Sequence, residues 1–240
     1  VSVSNTGKSL ICSMQKHVLI VAGGSGSRMG SDVPKQMLSL CGVPIIIHTI
    51  RCFVEALGED IKPVIVCNKQ YMLELSRMML TYLPGVRHSI MPGGATRFES
   101  VKFGLDLLRN ESGLVAIHDA VRPLTDVNVI LDCYKVARTH GAAVAAVKSK
   151  DSIRLGNENH SNAVDRSTVW LIQTPQVFDV KLINEAYDEV AFTDDLTDDA
   201  SVFERHGGKV TLVNSTYGNI KITTPEDMLI AEQLMLLNRK

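Results

Sequence analysis

The chain has no surplus of basic residues, and this excludes one class of partner. Its 25 Lys and Arg residues are matched by 26 Asp and Glu residues, so the formal net charge is −1. Proteins that bind nucleic acid carry a strongly basic patch or stripe. We therefore expect no nucleic-acid partner, and any site for an anion must be local.

Cysteine pairs and long apolar runs are also lacking. The five cysteines are odd in number and include no C-x-x-C pair, which favours free thiols in a reducing compartment, the cytoplasm. No apolar run approaches the roughly 18 residues of a membrane-spanning helix, so we expect no membrane partner. Residues 1–16 lack the apolar segment of a signal peptide, and we interpret them as a loose N-terminal extension.

Residues 17–36, HVLIVAGGSGSRMGSDVPKQ, form the most informative stretch. The apolar run 18–22 predicts a buried strand. Three glycines follow it at once: Gly23, Gly24 and Gly26. Glycine lets the backbone turn sharply and bring its N–H groups close to an anion, and Arg28 and Lys35 then add two cations. The stretch therefore predicts a phosphate-binding loop.

Three common phosphate-binding patterns do not fit this loop. The dinucleotide pattern G-x-G-x-x-G fails because Met29 stands at its third glycine. The P-loop string G-x-x-x-x-G-K-[ST] does not occur, nor do the HRD and DFG partners of a kinase loop. The string A-G-G-x-G-x-R-M followed by P-K-Q instead resembles the pattern of sugar-phosphate nucleotidyltransferases. A plain strand-to-helix turn with surface cations is the alternative.

A second glycine loop precedes a second helix. It reads PGGATRFESV over residues 92–101, where Thr96 and Glu99 match a capping box, and the helix is predicted to end at about Arg109. A helix N-terminus offers free N–H groups and a positive dipole to a ligand. The loop is therefore either a second binding element or simply a capped helix.

Asp119 directly follows the apolar strand 114–118. In open α/β sheets, ligands lie beyond the carboxyl ends of the strands. A carboxylate in that place, beside a phosphate loop, suits Mg²⁺, so Asp119 is the candidate metal ligand. A helix cap or an ion pair with Arg122 is the alternative.

Residues 148–168 differ in character from the rest of the chain. They are polar, rich in Asn and Ser, and carry a turn signal at Gly156, so segments 152–155 and 163–165 predict a hairpin. A two-stranded hairpin is marginally stable on its own. We therefore predict an arm that protrudes from the body and packs on another subunit.

Elsewhere, apolar strand segments alternate with helical segments. This predicts an α/β fold, with a mostly parallel twisted sheet and helices on both faces. We place a single domain at residues 17–240. Asn219–Ile222 is predicted as a last short strand and Pro225 as the start of the last helix. The acidic run 193–199 lacks EF-hand spacing and is interpreted as loop and helix caps.

Together these motifs resemble the 2-C-methyl-D-erythritol 4-phosphate cytidylyltransferase family over residues 17–237. In order they are AGGSGSRM with PKQ, GGATRFESV, HDAVRP, VDR, QTPQ, TDDAS and NIKITTPED. The resemblance implies a Rossmann-like nucleotidyltransferase domain whose arm is used in homodimerisation. It also implies Mg²⁺ as cofactor, and a reaction of CTP with methylerythritol phosphate in non-mevalonate isoprenoid synthesis.

The resemblance further implies roles for individual residues. The catalytic ones would be Arg28, Lys35, Arg166 and Lys221. The nucleotide would be bound by Ala22, Gly23, Gly24, Ser25, Gly26, Gly94, Ala95, Ser100, Asp119 and Arg122. The polyol phosphate would be bound by Ser152, Arg166, Thr174, Thr197 and Lys221.

Two of these positions depart from the family pattern. Members often carry threonine at the position of Ser152, so the hydroxyl is kept and the methyl is lost. Members also carry an acidic residue where this chain has Ala95, so a side-chain contact to cytosine is not expected there. Through the arm, Ser152 and Arg166 would serve the site of the partner subunit.

Other functions remain open from the residues alone. A ribitol- or other pentitol-phosphate cytidylyltransferase would share the loop and the chemistry, although VDRSTVWLIQTPQ and TDDAS favour the methylerythritol enzyme. A nucleotide-binding regulatory protein without turnover would not require Arg28, Lys35 and Lys221 together. A redox enzyme is disfavoured by Met29.

Overall fold

A seven-stranded sheet organises the computed structural model, which describes residues 14–23 and 33–238. The strands in these residues are β1 Lys16–Ala22, β2 Ser39–Leu40, β3 Val43–Pro44, β4 Val64–Cys67, β5 Ser89–Pro92, β6 Leu114–Asp119, β7 Ala142–Lys148, β8 Ile153–Gly156, β9 Ser161–Val164, β10 Trp170–Asp179 and β11 Thr211–Asn214. The α-helices are α1 Ile45–Leu57, α2 Met72–Tyr82, α3 Arg97–Leu107, α4 Val127–His140, α5 Val180–Glu189, α6 Asp199–Arg205 and α7 Pro225–Asn238.

The large sheet is mixed but mostly parallel, as predicted. Its strand order is β11-β7-β10-β6-β1-β4-β5. Strand β10 runs antiparallel to its neighbours β6 and β7, and the other pairs are parallel. Because β1 and β6 are parallel neighbours near the centre of the sheet, their carboxyl ends lie at the same edge of it.

Both faces of the sheet are covered by helices. Along β1, Val18 and Ile20 pack in a core with α1, α2 and α4, whereas Leu19 packs in a second core with α3, α5 and α6. Successive side chains of a strand point to opposite faces, so a strand buried on both sides reads as one apolar run. The apolar runs of the sequence therefore predicted these strands correctly.

Helix α3 packs very close to the sheet. A Cβ atom on Gly104 would lie 2.3 Å from Leu19 Cδ1, a distance that no real Cβ contact tolerates. The glycine thus permits α3 to lie directly against β1. This packing brings the N-terminus of α3 beside the carboxyl end of β1.

Some predicted elements differ in the structure. Residues 219–223 form no strand, so the predicted strand Asn219–Ile222 is wrong. The Ile222 N–H still donates to the Val121 carbonyl, but the Asn219 carbonyl accepts from the Arg122 side chain rather than from another strand. The tight β2–β3 pairing was not predicted, because its four residues give too short a pattern.

Strands β8 and β9 form a separate two-stranded sheet within residues 148–168. Leu155 is 64% exposed there. The hairpin was predicted, with its strands shifted by one or two residues. Its role in dimerisation stays a prediction. Among the helices of the described residues, none has the length and apolar character to cross a membrane.

Candidate active site

A cleft of about 410 Å³ opens at the carboxyl ends of β1 and β6 and the N-terminus of α3. This is the edge at which open α/β sheets bind ligands. Six residues predicted to bind nucleotide line the cleft: Ala22, Gly23, Gly94, Ala95, Ser100 and Asp119. The two predicted catalytic lysines, Lys35 and Lys221, also line it. Residues that lie far apart in the sequence are therefore brought to one site.

A 3₁₀ turn, Lys35–Met37, overlaps the PKQ motif and is hydrogen-bonded to the end of β1. Gln36 Nε2 donates to the Ala22 carbonyl at 2.7 Å, and this buried hydrogen bond places Lys35 beside Gly23 in the cleft wall. Lys35 itself is 8% exposed. The predicted site residues Gly24, Ser25, Gly26 and Arg28 lie outside the described residues.

The second glycine loop is held by the start of its own helix. Thr96 and Glu99 form the predicted capping box. Glu99 Oε2 accepts from the Ala95 N–H at 2.7 Å, and Ser100 Oγ accepts from the Gly94 N–H at 3.1 Å. The N–H groups of Gly94 and Ala95 are therefore already engaged by the first turn of α3. The loop instead forms a rigid wall of the cleft.

A second cavity, of about 230 Å³, adjoins the first. Predicted substrate residues Thr174 and Thr197 line it, and so does Arg122, which was predicted to bind nucleotide. Three charged residues line both cavities: Arg97, Asp119 and Lys221. A ligand in one cavity would therefore meet a ligand in the other across this charged boundary.

Asp119 is the centre of that boundary. Its Oδ2 atom lies 3.1 Å from Lys221 Nζ and 3.1 Å from Arg122 Nε. The Asp119 N–H also donates to Thr174 Oγ1 at 3.1 Å. The predicted alternative, an ion pair with Arg122, is thus present, and it coexists with a position in the cleft.

The charge state of this cluster follows from its neighbours. Burial alone would raise the pKa of the Asp119 carboxyl, but Lys221, Arg122 and Arg97 outweigh it and hold that pKa well below its usual range. Burial lowers the pKa of the adjacent His118 to about 3. At neutral pH, Asp119 is therefore an anion and His118 is neutral.

The residues present suit a magnesium ion only in part. Within residues 14–23 and 33–238, no cluster of three His, Cys, Asp or Glu side chains could hold a metal. Mg²⁺, however, is commonly bound by one or two carboxylates together with substrate phosphates. The ionised Asp119 carboxylate in the cleft fits that mode, with the other ligands supplied by a nucleotide and water.

Arg97 was not among the predicted site residues. Its guanidinium donates two hydrogen bonds to Asp199, at 2.9 and 2.7 Å, and Tyr187 Oη donates to the same carboxylate at 2.6 Å. The pair joins the start of α3 to the start of α6. Arg97 and Asp199 stand in the motifs GGATRFESV and TDDAS, but their pairing has no local pattern.

Two predicted residues lie elsewhere. Neither Ser152 nor Arg166 lines the two cavities, among the residues that the structure describes. Arg166 instead donates to the Lys150 carbonyl at 3.0 Å, within the 148–168 segment. The structure of one chain therefore does not bring them to its own cleft.

A family model for IspD, 2-C-methyl-D-erythritol 4-phosphate cytidylyltransferase, matches residues 16–237. The chain belongs to the 2-C-methyl-D-erythritol 4-phosphate cytidylyltransferase family. The family resemblance of the sequence motifs is thereby confirmed.

Relatives named 2-C-methyl-D-erythritol 4-phosphate cytidylyltransferase match this family member along nearly their whole length. One from Phocaeicola vulgatus is 43% identical over 222 residues, which is 92% of this chain and 100% of the relative. Another, from Lachnospira eligens, is 42% identical and covers 89% of this chain and 96% of the relative.

Solved structures of the cytidylyltransferase family share the fold. The 4-diphosphocytidyl-2C-methyl-D-erythritol synthase of Anaerococcus prevotii matches with a TM-score of 0.80 and 29% identity, over 92% of this chain and 96% of that one. The 2-C-methyl-D-erythritol 4-phosphate cytidylyltransferase of Thermus thermophilus matches with a TM-score of 0.72 and 27% identity, over 92% and 98%.

Proposed function

We propose that this chain transfers a cytidylyl group from CTP to 2-C-methyl-D-erythritol 4-phosphate, in non-mevalonate isoprenoid synthesis. The observation that carries the proposal is the shared boundary of the two cavities, formed by Arg97, Asp119 and Lys221. The larger cavity, beside Gly23 and the glycine loop that precedes α3, takes CTP. The smaller one, beside Thr174 and Thr197, takes the polyol phosphate.

The reaction is an exchange at one phosphorus atom. A phosphate oxygen of the polyol forms a bond to the α-phosphorus of CTP, and the bond from that phosphorus to the bridging oxygen breaks. The electron pair of the broken bond leaves on pyrophosphate. The attacking phosphate is already an anion, so no general base is needed.

The main barrier to this step is repulsion between the attacking phosphate and the triphosphate, and the cations of the site reduce that repulsion. Lys35 lies in the wall beside Gly23, and Lys221 lies at the boundary of the cavities. Preorganised charges of this kind stabilise a transition state more than they would in water. We assign Lys35, together with Arg28, to the α-phosphate and the leaving pyrophosphate, and Lys221 to the attacking phosphate of the polyol.

Mg²⁺ is the proposed cofactor, with Asp119 as its protein ligand. When bound, the ion would neutralise triphosphate charge and polarise the phosphorus–oxygen bonds. Asp119 contributes an anionic carboxylate that is oriented by Arg122, while the Thr174 hydroxyl holds the main chain of the same residue.

We also propose a cytoplasmic homodimer in which the β8–β9 arm reaches the partner. Two observations support it. The arm exposes Leu155, and its strands have no bond to the large sheet among the described residues. Arg166 lies outside its own chain's cavities, which suits a residue that acts on the partner's substrate.

A pyrophosphate-release assay tests the proposal. With CTP, Mg²⁺ and methylerythritol phosphate, we expect turnover that falls strongly when ribitol 5-phosphate replaces the polyol or when ATP, GTP or UTP replaces CTP. Equal or faster turnover with ribitol 5-phosphate would make this a pentitol-phosphate enzyme. Binding of CTP without pyrophosphate release from either alcohol would support a regulatory protein instead.

A further inference from the structure

Asn219 is a fully buried polar residue between the last strand and the last helix. Its side-chain Nδ2 donates to Gln173 Oε1 and to the Thr174 carbonyl, both at 2.9 Å. Its Oδ1 accepts from Thr125 Oγ1 at 2.9 Å. Since both ends of the amide are engaged by partners that fit only one orientation, the side chain is fixed in place.

These bonds connect Asn219 to Asp119 by two routes. In the first, the Asn219 carbonyl accepts from Arg122 Nη1 at 2.8 Å, and Arg122 pairs with the Asp119 carboxylate. In the second, Asn219 holds the main chain of Thr174, whose hydroxyl accepts from the Asp119 N–H. The residues Asn219, Arg122, Asp119 and Thr174 therefore form a closed ring of four, and Lys221 contacts the carboxylate of its Asp119.

Two further residues, Thr125 and His118, contact this ring from the core. Thr125 Oγ1, which donates to Asn219, lies 3.3 Å from Nε2 of the buried His118. Thr125 Oγ1 also lies 3.1 Å from the Arg122 carbonyl, so one hydroxyl contacts both Asn219 and the main chain of Arg122. His118 in turn packs edge-on against Phe53, with ring centroids 4.9 Å apart.

The segment that carries Lys221 is held on both sides of that residue, by the bonds of Asn219 and by the buried side chain of Ile222. Residues 219–223 form no strand, and the Ile222 N–H makes one main-chain bond, to Val121. The Lys221 side chain is 43% exposed, so burial does not fix its ammonium group. Asn219 and Ile222 together set where this side chain begins, and Asn219 is the one that also bonds to Arg122 and Thr174 around Asp119.

We propose that Asn219 is a positioning residue for the transfer reaction, which fixes the 219–222 segment so that the Lys221 ammonium stays over Asp119. It acts through Lys221 and touches no substrate. This inference rests on the proposed function, because it requires that Lys221 stabilise the reacting phosphates.

The test compares Asn219→Ala with Asn184→Ala. Asn184 is also buried, donates to the Val180 carbonyl at 2.8 Å, and lies in α5 away from the cleft. Both variants lose a buried amide, so both should melt at lower temperature. We expect kcat to fall about 10- to 100-fold in Asn219→Ala only, as for other residues that orient a catalytic group.

A double-mutant cycle decides whether the effect passes through Lys221. We expect Asn219→Ala/Lys221→Ala to be no slower than Lys221→Ala alone, within about 2-fold, because the second change has nothing left to misplace. Additive losses would overturn the inference. So would an Asn219→Ala enzyme with the kcat of Asn184→Ala, provided that Lys221→Ala is itself impaired. A fully active Lys221→Ala would overturn the proposed role of Lys221, and the inference with it.

A second pair of variants covers the case in which Asn219→Ala does not fold. Thr125→Val keeps the shape and removes the hydroxyl that Asn219 Oδ1 accepts from, whereas Thr125→Ser keeps that hydroxyl. We expect a reduced kcat in Thr125→Val and near-normal kcat in Thr125→Ser. Equal kcat in the two would count against the inference as directly as an active Asn219→Ala.

Discussion

Lys221 Nζ lies 3.1 Å from Asp119 Oδ2, and this contact joins the end of β6 to the segment that precedes α7. Both residues line both cavities. The ammonium group of Lys221 is therefore held at the cavities by a carboxylate that Arg122 also contacts, on a residue whose main chain is held by Thr174. A lysine anchored in this way can act on a transferring phosphate without first being ordered by it.

Lys35, which lines the cleft with Gly23, gives the first prediction. Lys35→Ala should lower kcat far more than it weakens CTP binding, because negative charge at the α-phosphate and the leaving group grows in the transition state. Initial rates and calorimetric titration of CTP measure the two effects. Lys181→Ala is the matched control, since that side chain is 82% exposed on α5 and should leave both values unchanged. Equal losses of kcat and of CTP affinity in Lys35→Ala would contradict the assigned role.

The arm gives the second prediction. Arg166→Ala and Lys35→Ala proteins should each be nearly inactive, yet mixtures should recover activity. If Arg166 acts on the partner's substrate, a mixed dimer contains one site in which both residues are intact. The mixture should approach about one quarter of the wild-type rate per dimer site, as random exchange dictates. Failure to recover, with mixed dimers demonstrated by differently tagged chains, would place Arg166 in its own subunit's site.

Sequence reasoning predicted the sheet well because its evidence is local. Strands buried on both faces, such as β1 and β6, are continuous apolar runs, and the helix starts at Thr96 and Asp126 carry capping residues that act within one turn. Gly23, the glycine loop that precedes α3 and Asp119 were also recognisable as lying at the carboxyl edge of the sheet, because each follows a strand.

The polar network behind the site could not be predicted in the same way. Asn219 bonds to Thr125, Gln173 and Thr174, and Arg97 bonds to Asp199, all across long sequence separations. A single polar residue has no periodicity, and its partners are determined only when the strands assemble. The pattern IKI at 220–222 alternates like a strand, but the segment forms no strand. Its Asn219 bonds to side chains and to the Thr174 carbonyl instead of pairing with a neighbouring strand.

Gly94 gives a third prediction, based on space. A Cβ at Gly94 would lie 2.3 Å from Glu99 Cβ and 2.8 Å from Glu99 Oε2. Gly94→Ala should therefore displace Glu99, break the capping box and cost about 1 kcal/mol of unfolding free energy. Because this loop forms the cleft wall, KM for CTP should rise as well. Gly85→Ala is the control, since a Cβ there would meet nothing within 4 Å. An unchanged KM in Gly94→Ala would mean that the loop does not contact CTP.

The Arg97–Asp199 pair gives a fourth prediction, in which the two partners are not equivalent. The Asp199 side chain is fully buried, whereas that of Arg97 is 31% exposed. Arg97→Ala leaves a buried carboxylate unpaired and should cost about 3–5 kcal/mol in unfolding free energy. Asp199→Ala should cost less, since the arginine can still reach water.

Denaturant titrations of three variants measure this asymmetry. Arg97→Ala/Asp199→Ala should be more stable than Arg97→Ala, because the second change removes the unpaired charge. The exposed pair of Arg205 and Asp195 is the comparison, and Arg205→Ala should change stability by less than about 1 kcal/mol. If the double variant were less stable than Arg97→Ala, Asp199 would not be an unpaired buried carboxylate in Arg97→Ala.

The buried thiol of Cys133 gives a prediction for alkaline pH. Burial, with a smaller contribution from Asp132, raises the pKa of this thiol from 9.0 to about 12. The folded state therefore keeps a proton that the unfolded chain loses, so this stability is complete below pH 9 and is lost as pH rises toward 12. At pH 11 the loss of unfolding free energy is roughly 2–3 kcal/mol relative to pH 8.

The variant Cys133→Ala lacks this group, and its stability deficit relative to the parent should shrink by that amount between pH 8 and pH 11. Urea unfolding at both pH values measures the deficit, and subtraction cancels every other titrating group. A deficit that stays constant would mean that the thiol ionises as easily in the folded protein as in the unfolded chain.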